Sequence, residues 1–315
     1  MRKILVTGAA GFIGTNLIAK LLKDEDNFIV GVDNLDPYYD VRIKLDNIES
    51  NKNKRFIFEQ YDVTNEYLMR TRVFENYGFD AVIHLAAQAG VAYSIDHSYE
   101  VMTNNIMGFE IMIKLSHTYG VKKFIYASSS TVLGDHNGLY KQKSPYGVSK
   151  ATNEAQGSMY AGLYPDMHII GMRLYTVYGE RMRPDLAICK FTKAIMNDET
   201  IHIYGDGSIT RDFTYIDDVT EAFKTVLYEE PRTKTSGYVY NVGWGRPISL
   251  TKLIETMKTV YDKEDYNKLV YESKKPYDAI MTQAWGESIK REYGFECKVT
   301  LEEGLKRLKN YLYNS

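Results

Sequence analysis

Tyr146 and Lys150 stand four positions apart in Ser-Pro-Tyr-Gly-Val-Ser-Lys, residues 144 to 150. On a helix that spacing puts a phenol and an ammonium on one face, a turn apart. A phenol ordinarily keeps its proton to about pH 10, and a neighbouring cation favours the phenolate and draws that value down. A tyrosine so placed can act as general base on a sugar or alcohol hydroxyl. The same spacing also occurs on solvated helix faces, so the rest of the chain decides what it is worth. Upstream, Ser128-Ser129-Ser130 offers hydroxyls at the end of an apolar run, where a polar strand end is the alternative.

A second constellation opens the chain. Thr7-Gly8-Ala9-Ala10-Gly11-Phe12-Ile13-Gly14 follows a strand-like run and begins a helical pattern with Leu17, Ile18 and Leu21 apolar. Glycines there permit a tight turn and close backbone approach, and a helix N-terminus attracts a pyrophosphate. Asp33 ends the next apolar run nineteen residues after Gly14. A carboxylate in that position accepts hydrogen bonds from adenosine ribose hydroxyls and repels a 2'-phosphate, so the dinucleotide expected is NAD rather than NADP. Asp62 and Val63, after the third run, are candidates for the adenine, although a loop aspartate is equally a turn or cap residue.

These groups need a scaffold, and the pattern supplies one. Short apolar runs at Ile4 to Val6, Phe28 to Val32, Phe56 to Phe58, Ala81 to Leu85 and Phe124 to Ala127 alternate with helical stretches. That is the rhythm of a parallel sheet with helices on both faces. His168 to Leu174 adds a strand after the Tyr146 helix, the pattern turns irregular beyond Gly179, and a helix is expected over Asp217 to Tyr228. A chain of 315 residues, 44% hydrophobic, holds one large α/β domain with a smaller partner domain. A net charge of -2 gives no broad basic field, so small molecules rather than nucleic acid are the expected partners. Cys189 and Cys297 fit neither a disulfide framework nor metal-ligand spacing and read as structural; no metal is expected. Glycines interrupt the first apolar run too early for a signal peptide, and no run is long enough to span a membrane. A soluble cytoplasmic protein without membrane partners is expected.

Taken together, Thr-Gly-x-x-Gly-Phe-Ile-Gly (7 to 14), His84-Leu85-Ala86-Ala87, Asn105, Ser128-Ser129-Ser130, Tyr146-x-x-x-Lys150 and Arg211-Asp212-Phe213 resemble the extended short-chain dehydrogenases that modify nucleotide sugars. Within them, Asp33 to Asp40, Gln88-Ala89-Gly90-Val91 and Thr176-Val177-Tyr178-Gly179 with Arg183-Pro184-Asp185 are most similar to the UDP-glucuronate 4-epimerases. The resemblance implies a Rossmann doubly wound parallel sheet with a smaller, interwoven C-terminal α/β substrate-binding domain. The NAD-binding part would cover residues 1–175 and the nucleotide-sugar part 176–315, with 212–242 returning to the first. It implies cofactor contacts from Gly8, Gly11, Phe12, Ile13, Gly14, Asp33, Asn34, Asp62, Val63, Leu85, Ala86, Ala87, Tyr146 and Lys150.

The implied chemistry is an epimerisation. Tyr146 as phenolate takes the proton of the sugar O4 while C4 gives a hydride to NAD. Lys150 lowers the tyrosine's pKa and binds the nicotinamide ribose, and Ser129 hydrogen-bonds O4. The 4-ketose turns over in the pocket and the hydride returns to its other face. Ser130-Thr131 stands where dehydratases of the family carry Asp-Glu, and decarboxylating relatives carry Glu at the place of Thr131. Ser130, Thr131 and Thr176 can hold a sugar carboxylate by hydrogen bonds, or simply line a neutral sugar pocket. Tyr175, Arg183, Arg211 and Asp278 complete the substrate contacts of a UDP-sugar, with Arg211 on the diphosphate or in a surface salt bridge, and Arg183 in the substrate loop or solvated. Relatives dimerise through helices near Tyr99 to Tyr119 and Tyr146 to Tyr164, so a homodimer is expected. The chain departs from the pattern at Leu133, Ala92 and the short segment from Gly134 to Pro145, which opens the sugar pocket to an N-acetylhexosamine, a neutral hexose or another nucleotide sugar, and a decarboxylase or 4-oxidoreductase of a nucleotide sugar is the alternative activity.

Overall fold

In β1 (Arg2–Thr7) Ile4 and Val6 face one side of a sheet and Leu5 the other, and all three are fully buried. This is the alternation of a strand covered on both faces. The computed structural model describes residues 1–134, 142–233 and 236–314, so most of the segment from Gly134 to Pro145 lies outside the described residues. β1 is followed by β2 (Asn27–Asp33), β3 (Phe56–Gln60), β4 (Ala81–His84), β5 (Lys123–Ser129) and β6 (His168–Leu174). With the strand Tyr238–Val242 they form a seven-stranded sheet in the order Tyr238–Val242, β6, β5, β4, β1, β2, β3, parallel throughout. The order reverses between β1 and β4, so the loops at the C-terminal ends of those strands diverge and leave a crevice.

One face of the sheet is covered by the helices Phe12–Leu21 and Ile216–Tyr228, whose Leu17, Ile18, Val219, Phe223 and Val226 pack on Ile4, Val6, Ile83 and Ile125. On the other face the helix Gly108–Thr118 sets Phe109, Met112 and Ile113 against Leu5, Val30, Val82 and Phe124. Each such side chain contributes about 1.5–3 kcal/mol by leaving water.

A second core forms downstream around Phe191, Ile195, Ile201, Ile203, Leu253, Met257 and Leu305. Where the sequence pattern looks irregular, the helix Ala187–Asn197 forms, because Ile188, Phe191, Ala194 and Ile195 fall on one buried stripe. Ile201–Tyr204 pairs in parallel with Leu269–Glu272, and Thr210–Arg211 antiparallel with Ile248–Ser249. Asp212 ties this region together: its buried carboxylate accepts the amides of Trp244, Gly245 and Ala284 at 3.0, 2.9 and 2.8 Å.

Candidate active site

The crevice is a cavity of about 420 Å³ whose walls come from the C-terminal ends of β1, β2, β4, β5 and β6. At one end lies the glycine turn. Gly8 has φ +70°, and a Cβ there would sit 2.9 Å from the Ala86 amide; one on Gly14 would sit 2.1 Å from the Gly8 carbonyl oxygen. Only hydrogen fits at either position. Gly11 caps the helix Phe12–Leu21 with no side-chain bond, so its first-turn amides are not taken by a side-chain cap. Such a cradle fits the pyrophosphate of a dinucleotide. Beside it Asp33, 8% exposed, accepts the amides of Ala10 (3.2 Å) and Leu35 (2.9 Å), with the Lys44 ammonium at 3.6 Å. Below the turn, Thr7 Oγ1 lies 2.8 Å from His84 Nδ1 and accepts the Ala86 amide at 3.2 Å. Burial, with the Lys150 charge nearby, holds His84 down to about 3, so its ring is neutral.

At the other end stands the hydroxyl group constellation. Ser144 caps the helix Pro145–Leu163 by accepting the Gly147 amide at 3.1 Å, and Pro145 fills the first helical turn, where its missing N–H costs nothing. Tyr146 therefore sits in the first turn and Lys150 one turn on, both on the cavity wall. Burial pushes the Tyr146 phenol up, while a hydrogen bond from Ser129 and the charge of Arg183 oppose it. Lys150, 4% exposed, donates to the Ala127 carbonyl at 2.9 Å, and burial draws it down to about 8 against the pull of Glu154. A shared helix face fixes the spacing of Tyr146 and Lys150, and the Lys150 ammonium, with one of its three N–H donors on the Ala127 carbonyl, keeps two for other partners.

Ser129 Oγ accepts the Thr131 hydroxyl at 2.9 Å and the Thr131 amide at 3.3 Å. Thr131 thus has its proton engaged and presents lone pairs. Asn105 supports the wall: its side chain accepts the Gln88 amide at 2.7 Å and donates to Ser149 Oγ at 2.9 Å, and Ser149 donates to the Tyr146 carbonyl at 2.8 Å.

Of the residues singled out from sequence, Gly8, Gly11, Phe12, Ile13, Gly14, Asp33, Asn34, Val63, Leu85, Ala86, Ala87, Ser129, Ser130, Thr131, Tyr146, Lys150, Tyr175, Thr176 and Arg183 share this cavity wall. Asp62 does not line it. Its carboxylate accepts Thr64 Oγ1 at 2.6 Å, the Thr64 amide at 2.8 Å and Asn34 Nδ2 at 2.9 Å. Burial raises it, yet these bonds outweigh burial and hold it below the usual carboxylate range. Arg211 and Asp278 also lie off the wall and meet each other at 4.0 Å. Leu133 and Ala92, where the chain departs from the family pattern, are not on it either. Tyr38, Tyr39, Lys44, Gln88 and Leu186 also line the cavity, beyond the contacts expected from sequence. Tyr38, Tyr39 and Gln88 lie inside segments noted for their resemblance, whereas Lys44 and Leu186 carry no local signal.

The model of the NAD dependent epimerase/dehydratase family matches residues 4–243. The chain belongs to that family. Among its relatives is a UDP-glucuronate 4-epimerase of Thermodesulfobacterium geofontis, 37% identical over 317 residues that span 98% of this chain and 95% of that protein. Among solved structures, UDP-glucuronic acid 4-epimerase from Bacillus cereus, in complex with UDP-glucuronic acid and NAD, superposes with a TM-score of 0.90 at 32% identity over 99% of both chains. UDP-glucose 4-epimerase from Thermotoga maritima, with UDP-glucose, gives 0.88 at 30% identity, again over 99% of both. This member of the NAD-dependent epimerase/dehydratase family thus shares its parallel-sheet fold with epimerases acting on two different UDP-sugars.

Proposed function

We propose that the chain is an NAD-dependent nucleotide-sugar 4-epimerase that interconverts UDP-glucuronate and UDP-galacturonate through a 4-keto sugar. One cavity that holds both the glycine cradle with Asp33 and the Ser129, Tyr146 and Lys150 constellation carries this reading. NAD bound in it supplies a reversible hydride acceptor for the sugar's C4. Tyr146 takes the O4 proton and gives it back, Ser129 orients O4 and favours the phenolate, and Lys150 holds the nicotinamide ribose. Gly8, Gly11, Phe12, Ile13 and Gly14 cradle the pyrophosphate. Asp33 with Lys44 engages the adenosine ribose, and Asn34, Val63, Leu85, Ala86 and Ala87 line the cofactor's path. Asp62 shapes the loop under the adenine through Asn34. On the sugar side Ser130, Thr131, Tyr175, Thr176 and Arg183 face the hexuronate, and Arg211 with Asp278 serves the nucleotide end. With Ser130-Thr131 in place of acidic residues, the wall has no side-chain acid there to drive dehydration, and Arg183 offers the carboxylate a cation.

Incubation with UDP-glucuronate, read by NMR at the anomeric and H4 protons, should yield UDP-galacturonate at unchanged mass and without carbon dioxide. Tyr146→Phe should lower kcat by about 10²–10⁴-fold while NAD stays bound. Full turnover by that variant would remove Tyr146 from the chemistry. The second reading is a 4-epimerase of UDP-glucose or UDP-N-acetylglucosamine. The commitment of the Thr131 hydroxyl to Ser129 favours it, because that leaves one proton fewer for a carboxylate. Turnover of those sugars with none of UDP-glucuronate would decide for it.

The proposal extends to a homodimer in the cytoplasm. Tyr99, Met107, Val148, Met159 and Leu163 are exposed on the helical segments from Ser98 to Thr118 and Pro145 to Leu163, an apolar face suited to a second copy. Light scattering at twice the chain mass tests it. Cys189 and Cys297 are free thiols, in keeping with a reducing compartment.

A further inference from the structure

Two arms reach the cavity from opposite halves of the chain. The first follows β2 and is stiffened by successive bonds from side chain to backbone: Asp33 takes the Leu35 amide (2.9 Å), Asn34 the Asp36 amide (3.0 Å) and Asp36 the Tyr38 amide (2.9 Å). The second runs from Glu180 to Leu186 and is moored to the helix Phe12–Leu21, where Asn16 donates to the Glu180 carbonyl (3.1 Å) and Arg181 to Thr15 Oγ1 (3.3 Å). Each arm contains a non-glycine residue with positive φ, Leu35 at 58° and Arg181 at 62°. Such backbone costs energy and persists only where surrounding bonds fix it.

A single carboxylate joins the arms. Asp185 Oδ2 accepts the Tyr38 hydroxyl at 3.0 Å, and the same group receives Arg183 through Nε and Nη2, both at 3.0 Å. The guanidinium carbon lies 5.4 Å over the Tyr38 ring, which is braced edge-on against Tyr93 at 4.8 Å. Gly90, at φ +138°, makes the room: a Cβ there would fall 2.9 Å from the Tyr38 hydroxyl. Burial, then Asp185, pushes the Tyr38 phenol up to about 12, so it remains a donor. Tyr38 and Arg183 both line the cavity, which therefore cannot widen between the arms without breaking these bonds.

We propose that Asp185 and Tyr38 are positioning residues that fix the Arg183 guanidinium on the cavity wall and latch the two arms together over the bound dinucleotide. The latch rests on the epimerase reading, in which the hydride removed is the hydride returned and the cofactor leaves each cycle unchanged. An enzyme of that kind gains nothing from releasing NAD between turnovers. Opening the latch is then the route for cofactor exchange, and closing it sets Arg183 against the sugar and the Tyr146 phenol.

Release of radiolabelled NAD from the loaded enzyme into an excess of unlabelled NAD tests the latch. Tyr38→Phe keeps the ring and removes only the hydroxyl; Asp185→Asn removes the charge at constant shape. Each should speed release about tenfold, as for loss of a charge-assisted hydrogen bond. The double variant should release no faster than Asp185→Asn alone, since the two groups share one bond, whereas general loosening would multiply the effects. Wild-type release rates in both single variants, or multiplicative effects in the double, would overturn the latch. A wild type that binds NAD and epimerises no UDP-sugar would sink the functional reading while the release rates still judge the latch.

Discussion

Ser129 is the residue whose removal is most telling, because its hydroxyl is one of two influences that favour the Tyr146 phenolate against burial. Activity that needs the phenolate rises with pH through the tyrosine's pKa. Ser129→Ala should therefore shift the rising limb of the kcat profile to higher pH and cost roughly a hundredfold at neutrality. A profile that keeps its midpoint would exclude Ser129 from the phenol's environment. His84 governs stability instead. Its folded value lies near 3, below the ordinary 6.5, so between those limits the unfolded chain takes up a proton that the folded one refuses. Stability should fall as pH drops through that window, by up to about 1.4 kcal/mol per pH unit. Urea midpoints at pH 7, 5 and 4 should show the loss in wild type and a flatter series in His84→Gln. At this scale the glycine turn and Asp33 were legible because their geometry is local, set by one strand and the helix after it. The Lys150 ammonium was read for its spacing, but its bond to the Ala127 carbonyl belongs to a strand elsewhere in the chain. Lys44 beside Asp33, and Asp185 beside Tyr38, are likewise meetings that only the fold arranges.

Among the elements, the helix Pro145–Leu163 transmits most to the chemistry, since its capped first turn carries Tyr146. Ser144→Ala should cost about 1 kcal/mol in a urea melt, which leaves a domain of ordinary stability almost wholly folded. A fall in kcat of about fivefold or more would then report a misplaced phenol rather than lost protein. Unchanged kcat would mean that Asn105 and Ser149 hold the turn without its cap. The apolar runs from Ile4 to Leu174 stand in the structure as β1 to β6, because buried parallel strands write themselves as short Val- and Ile-rich segments. The helix expected from Asp217 is found at Ile216–Tyr228. The strand Tyr238–Val242 carries β-forming residues, but nothing in Tyr-Val-Tyr-Asn-Val names β6 as its neighbour. The π-helical turns at Met69–Phe74 and Thr103–Met107 were not legible, since their wider loops leave the apolar rhythm almost intact.

For the molecule as a whole, we propose that residues 1–175 form the cofactor half and that 212–242 belongs with it. The helix Ile216–Tyr228 covers the apolar residues Leu17, Ile18 and Ile125, and Tyr238–Val242 pairs with β6. A fragment of residues 1–175 should therefore aggregate or bind a hydrophobic dye, and should lack a cooperative melt. A fragment that melts sharply and holds NAD would show the halves to be separable. The late strand also bears on how the protein is made. On the ribosome β6 emerges roughly 60 residues ahead of its outer neighbour, and at about 5–20 residues per second its hydrogen-bonding rim waits several seconds in the open. A nascent chain in that interval is a natural client for a chaperone that shields strand edges, and slowing translation after β6 should lower the yield of native enzyme.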